Sequence, residues 1–276
     1  MANIGATTAF YKVETSLTRA NNEVGKSMER LATGRANANA GDRSSYVAMA
    51  DTFRLDYVGT KAGIKGATVV MGYLETGMRV LDSASSLLSR LQELAILGAN
   101  DTNTTADGDA IDLEAGKLAI EFERLMTESE YKGKNVFVTT VNLDVVATGG
   151  RGAEMNFGIA ALTLDALVGS LGTLTSDPSA GQGTSDVLTA KIEAMQEKVN
   201  TARVQAGSQY AAIESVVAYT TDLTAQYELA YNVVNDVNFS METAHLAKNQ
   251  IIQQAATAML AQANRGQQGL LQLLQN

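Results

Sequence analysis

Two stretches of this chain carry an unbroken seven-residue apolar repeat, and that pattern admits few folds. From Tyr46 the series runs through Ala50, Phe53, Tyr57, Thr60, Ile64, Ala67, Met71, Leu74, Met78, Leu81 and Ser85 to Leu88, in alternating steps of four and three. A second series starts at Leu188 and passes through Ile192, Met195, Val199, Ala202, Ala206, Gln209, Ile213, Val216, Thr220, Leu223, Tyr227, Ala230 and Val234 to Val237. A spacing averaging about 3.5 residues keeps one narrow stripe turned towards a partner helix, as in a coiled coil. The segment between the two series is short, so they must lie side by side. The expectation is a mainly α fold, a long antiparallel coiled-coil hairpin or bundle with a small β-hairpin unit in its middle. Such a rod is a building block and offers no deep pocket.

Composition narrows the function. Aromatic residues make up 5% of the chain, tryptophan is absent, and the apolar 45% leans on Ala, Val, Leu and Ile. Small side chains suit helix seams and make poor walls for a ligand cavity. The formal net charge is −9 with no cluster of Lys or Arg, so nucleic-acid binding lacks its electrostatic footprint. No basic amphipathic face is present to hold an anionic membrane, and no apolar run approaches the roughly 18 residues that suggest a transmembrane helix. The absence of cysteine removes disulfides, thiolate metal sites and cysteine nucleophiles. The first residues lack a basic start followed by an apolar run, so no cleavable signal is expected.

Along the chain, residues 4–33 read as a helix with Phe10, Val13, Leu17, Ala20, Val24 and Leu31 on one stripe, Ser27 filling a seam position. Gly34 is placed to end it and RANANAGDRSS reads as a connector, with Asp42, Ser44 and Ser45 as candidate caps for the next helix. That helix, over 44–98, would be about 80 Å long. It carries Gly59, Gly63, Gly66, Gly72 and Gly77, each costing on the order of 1 kcal/mol against Ala, which calls for packed partners on several sides. Leu91, Leu94, Ile96 and Leu97 are apolar away from the seam, a pattern that predicts contact with other subunits. NDTNTTADGD (100–109) reads as a turn, followed by a helix to about Ser129 with Ile111, Leu118, Phe122 and Leu125 on one side. From 136 to 161 the period switches to two around Gly149-Gly150-Arg151-Gly152, which predicts a β-hairpin with a glycine turn. Residues 169–186, holding Pro178, read as an exposed loop before the second long helix.

Beyond Asn235 the texture changes. Ile252, Ala256, Met259, Ala263, Gly266, Leu270 and Leu273 keep the four-three spacing, while Lys248 and Arg265 are the only charges after Glu242. A helix without a charged face is marginal alone and should order against copies of itself. Catalytic chemistry finds little support. His245, the single histidine, has no nucleophile elbow or organising partner, and reads as a polar position on a packed helix. Glu121 with Glu123, and Glu128 with Glu130, are two apart on a helix and so point to different faces. GGRG lacks the Lys-Ser/Thr of a phosphate cradle. Three sequons (Asn100-Asp101-Thr102, Asn103-Thr104-Thr105, Asn238-Phe239-Ser240) are short enough to arise by chance, and Met28, Met71, Met78 and Met259 lie at helical spacing that says core. No enzyme activity and no cofactor are expected.

With these residues laid out, the chain resembles bacterial flagellin, the subunit of the flagellar filament. The resemblance rests on ERLATGRANANAGDRSSYVAMADTFR (Glu29 to Arg54), RLQELAILGANDTN (Arg90 to Asn103), YKGKNVFV, and AKNQIIQQAATAMLAQANRGQQGLLQLL (Ala247 to Leu274). It covers roughly 1–138 and 185–276, with the middle matching in outline. It implies a helical polymer for swimming motility, a minimal form lacking outer variable domains. Three parts are then expected: a filament-lining N-terminal helix and connector at 1–43, a core rod at 44–235 with its hairpin near 134–162, and a filament-lining C-terminal helix at 236–276. Ile252, Ala256, Met259, Ala263, Leu270 and Leu273 would pack in the filament core. The partners implied are copies of the chain, flagellar cap and hook-junction proteins, and an export chaperone of the type III apparatus that secretes it. Arg90, Leu94 and Glu114 match the positions at which an animal Toll-like receptor contacts some flagellins. On the repeat, Arg90 and Leu94 lie off the seam, on the outer face. A hook–filament junction protein, which shares similar ends, is the alternative reading.

Overall fold

Helix α1, Thr8–Thr33, stops where the sequence supplies a stop: Gly34 sits at φ +71° and its amide donates to the Arg30 carbonyl at 2.8 Å. The structure, a computed structural model of the chain, describes residues 8–39, 41–100, 102–138, 144–149, 153–162 and 181–275. Among them are the helices α1, α2 (Ser44–Gly98), α3 (Thr105–Glu128), α4 (Gly181–Asn235) and α5 (Phe239–Gln275). Six short strands lie between α3 and α4: β1 (Glu130–Tyr131), β2 (Lys134–Asn135), β3 (Phe137–Val138), β4 (Asp144–Ala147), β5 (Glu154–Phe157) and β6 (Ile159–Ala160). The chain divides into two compact units, one of Met1–Tyr57 with Ala225–Asn276 and one of Val58–Thr224.

The first unit pairs α1 with α5. The expected α1 stripe is the one that packs: Ala20 and Ser27 are buried, and Phe10, Val13, Leu17, Val24 and Leu31 are half-buried. As residue numbers rise on α1 they fall on its partner, since Arg30 reaches Glu242 at 3.8 Å and Gln253 donates to Asn21 at 2.7 Å. The connectors at the two helix ends hold each other. Ala36 N donates to Asn235 O at 2.7 Å, Val237 N to Gly34 O at 3.0 Å, and Arg35 bridges Asp236 in antiparallel fashion. The α5 N-terminus is capped by Asn238, whose side-chain oxygen accepts from Met241 N at 3.1 Å. In the same unit the starting part of α2 meets the end of α4, with the Phe53 and Tyr227 rings 6.5 Å apart.

The second unit is built on the long repeats. Along α4, Leu188, Ile192, Met195, Val199, Ala202, Ala206 and Ile213 are buried, as their spacing demands. Facing them on α2 are Thr60, Ala67, Leu74, Leu81 and Leu88. Cross-contacts fix the antiparallel direction: Thr224 Oγ1 to Thr60 Oγ1 at 2.8 Å, Arg203 to Asp82 at 2.7 Å, and Gln196 Nε2 to Ser85 Oγ at 2.9 Å.

A second seam on α2 went unnoticed in the sequence. Gly63, Gly66, Val70, Tyr73, Gly77, Val80, Ala84, Leu87, Leu91 and Leu94 repeat in steps of three and four, offset from the first, and each is buried or half-buried. The strands and α3 cover it. A Cβ on Gly63 would fall 2.6 Å from the Gly149 nitrogen, and one on Gly77 would fall 2.9 Å from Val136 Cγ1. Packed partners on several sides therefore explain the glycine load of this helix. Tyr73, almost wholly buried, donates its hydroxyl to Val136 O at 2.6 Å and meets the Phe157 ring edge-on at 5.5 Å. Burial, and then the nearby Asp144 charge, push its phenol up to about 12.

Helix α3 starts at Thr105, inside the segment expected to be a turn. Thr104 caps it: its hydroxyl accepts from Asp107 N, while the Asp107 carboxylate accepts from Thr104 N at 2.9 Å. The Thr104 hydroxyl and amide hold the Asp107 carboxyl below the ordinary range. The expected hairpin forms from β4 and β5, with Val145 opposite Asn156 and Val146 opposite Met155, and Gly149 at φ +91°. Residues 150–152 of its turn lie outside the described residues. A second hairpin, β1–β2, turns on Lys132 and Gly133, both at positive φ, which suits the tight two-residue turn. β3 and β6 pair in parallel. Of the loop expected at 169–186, the part after 180 is already α4, and the remainder, with Pro178, lies outside the described residues.

Candidate assembly surfaces

The C-terminal helix presents two overlapping seven-residue stripes, and α1 takes only one. Leu246, Asn249, Gln253, Leu260 and Ala263 are half-buried and Ala256 is buried, a stripe in steps of three and four. The stripe read from the sequence shares Ala256 and Ala263 with it but adds Ile252 and Met259, which are 39% and 54% exposed. Leu270 and Leu273 continue the helix with side chains outside the described set. This corrects one expectation: α5 pairs within its own chain, laying the Leu246–Ala263 stripe on α1. What remains uncovered is apolar. Ile251, Met241 and Phe239 are exposed with Ile252 and Met259, and the same unit exposes Tyr11, Met28, Tyr46, Met49, Leu55, Leu229 and Val233. His245 lies on this exposed side of α5 as well.

On the second unit, Arg90, Leu94 and Glu114 do come together, though not as one surface. α3 runs back along the end of α2, so Arg90 Nε and Nη2 both donate to Glu114 Oε1, at 2.9 and 2.8 Å, and Nη1 donates to Glu93 Oε2 at 2.8 Å. Hydrogen bonds to Glu93 and then Glu114 hold the guanidinium above its ordinary value. These three charges are exposed, and such surface pairs orient side chains more than they stabilise a fold. Leu94 is 2% exposed and belongs to the core. Its expected place on the outer face is thus wrong, because α3 covers the second seam of α2. The same cover buries Leu91, whereas Ile96 and Leu97 stay exposed. Counting one seam put Leu91 and Leu94 outside; counting two would have placed them correctly.

The acidic pairs weighed for catalysis are ordinary surface groups. Glu121 accepts from Arg124 at 2.6 Å, and Glu128 lies 3.6 Å from the same guanidinium. Among the described residues no group of His, Asp and Glu has a metal-binding arrangement, and no helix is long and apolar enough to cross a membrane.

The model of the bacterial flagellin N-terminal helical region matches residues 5–141, and that of the C-terminal helical region matches residues 188–274. The chain belongs to the bacterial flagellin family. A flagellin of Halalkalibacterium halodurans is 27% identical over 92% of both chains. Flagellin FlaB1 of Treponema pallidum is 26% identical, covering 94% of this chain and 95% of its own. The short middle of this flagellin is therefore shared with such relatives across their length. A solved structure described as a flagellar hook-associated protein of Vibrio parahaemolyticus superposes with a TM-score of 0.61 over 70% of this chain and 99% of that one. At 14% identity it shares the fold and nothing more is carried over from it. The flagellin assignment makes the chain a structural subunit of the flagellar filament, assembling with copies of itself, and not an enzyme.

Proposed function

We propose that polymerisation completes the burial of the first unit: α1 and α5, paired through one stripe, bury their remaining apolar faces against the same helices of neighbouring copies. The observation that carries this is the uncovered second stripe of α5, with Ile252 and Met259 exposed beside the buried Ala256. Exposed apolar area of this kind marks an interaction surface, and ordering cost is offset by intersubunit burial. In this reading the segments 1–43 and 236–276 line the filament and 44–235 forms the core rod of the subunit. A chain lacking residues 240–276 is then expected to stay a soluble helical monomer that never polymerises. Filaments of that truncation in the electron microscope would contradict the reading.

The finer partners follow the family resemblance. A filament subunit works outside the cell, so it meets an export chaperone, a cap and hook-junction proteins. Of the three positions the resemblance assigns to an innate receptor, Arg90 and Glu114 are exposed and paired, with Glu93 beside them, while Leu94 lies buried beneath. Reporter cells bearing the Toll-like receptor for flagellin test this partner: a response to purified monomer supports it, and silence at high dose removes it.

A further inference from the structure

The methionines of this chain are sorted between the two units. In the second unit Met126 and Met195 are 3% and 4% exposed, and Met71, Met78 and Met155 are half-buried. In the first, Met28, Met49, Met241 and Met259 are 57%, 48%, 60% and 54% exposed. Every largely exposed thioether among the described residues thus stands on the unit whose apolar faces remain uncovered, on α1, the start of α2, and α5. We propose that these four methionines are oxidation sites of the free subunit, and that their conversion to sulfoxide bars the subunit from the polymer without unfolding it.

The chemistry needs a hydroperoxide. The thioether sulfur attacks the terminal peroxide oxygen, an S–O bond forms as the O–O bond breaks, and the other oxygen takes up the proton of the first and leaves as water from hydrogen peroxide, or as an alcohol from an organic hydroperoxide. Sulfur loses two electrons and the peroxide gains them. The product replaces a flexible apolar end with a strong hydrogen-bond acceptor. On a monomer that acceptor is solvated and costs little. Buried between copies it loses water without a donor to replace it, which opposes association. The proposal rests on the reading that the first unit is buried in the filament. It also makes the polymer self-protecting, since the same burial hides the sulfur from oxidant.

The test treats the purified full chain with hydrogen peroxide, locates sulfoxide by peptide mass spectrometry, follows helix content by circular dichroism, and measures extension of filament seeds of the same chain. Met28, Met49, Met241 and Met259 are expected to oxidise at least about tenfold faster than Met126 and Met195, in line with their exposure. Oxidised monomers should keep their helix signal and extend seeds at least about tenfold more slowly than untreated ones. A variant with all four changed to Leu should extend at the same rate before and after peroxide, since this swap conserves volume and removes the oxidisable sulfur. Equal oxidation of Met126 and Met195, loss of helix on oxidation, or unchanged extension by oxidised monomers would each overturn the proposal. Untreated monomers that fail to extend seeds would refute the filament reading itself, and this proposal with it.

Discussion

Glycines in a helix look alike in a sequence, yet their neighbours here assign them opposite roles. Gly63 faces the hairpin turn so closely that any Cβ would collide with backbone at Thr148 and Gly149, whereas Gly207 on α4 has nothing within 4 Å of such a Cβ. Intrinsic propensity favours Ala at both by roughly 1 kcal/mol. Gly207→Ala is accordingly expected to stabilise by up to about 1 kcal/mol. Gly63→Ala should destabilise by about 1–3 kcal/mol, because a backbone neighbour cannot give way as a side-chain end can. Urea midpoints of the two variants, read against the parent, check the opposite signs.

At the scale of elements, each helix here carries more than one face. On α2, beyond its first turn, both stripes are covered inside the chain, one by α4 and the other by the strands and α3. On α5 only the stripe towards α1 is. Substitutions should therefore separate. Ala256→Gln enlarges a buried seam position and is expected to weaken the α1–α5 pairing, costing about 1–3 kcal/mol by overpacking and unpaired polar burial. Ile252→Gln alters the uncovered stripe, so the monomer should keep its helix content and melting behaviour while filament growth falls. Circular dichroism melts alongside seeded extension distinguish the two; a large loss of monomer stability with Ile252→Gln would place that residue in the pair instead.

For the whole molecule, the two units answer differently to their surroundings. The second has a closed interior, with the Tyr73 hydroxyl at its centre between α2 and the strands. That phenol ionises near 10 in an unfolded chain and at about 12 when folded. The unfolded state therefore releases its proton first. Stability is fully present below pH 10 and falls as pH rises from 10 to 12, by on the order of 2 kcal/mol. Urea midpoints measured across that range check it, and Tyr73→Phe, though less stable at neutral pH by about 1 kcal/mol through the lost hydrogen bond, should show a shallower decline. Among the described residues the first unit buries only small or polar side chains such as Ala20, Ser27, Ala50 and Ala256.

The long helices, the α1 stripe, the stop at Gly34 and the pairing of β4 with β5 were legible in the sequence because each is a local matter. Period 3.5 or 2 says which residues share a face, and a glycine at a helix end says where the chain must turn. What the tertiary structure alone decided was which of several eligible faces meets which partner. The second α2 seam is made of Gly, Ala and a buried Tyr as much as of Leu, so apolar counting passed over it, and Leu94 was placed outside. On α5, two stripes share Ala256 and Ala263, and only the packing against α1 shows that the one with Leu246, Gln253 and Leu260 is covered within the chain. A repeat records that a stripe will be covered. Only the arrangement of elements in space determines by what.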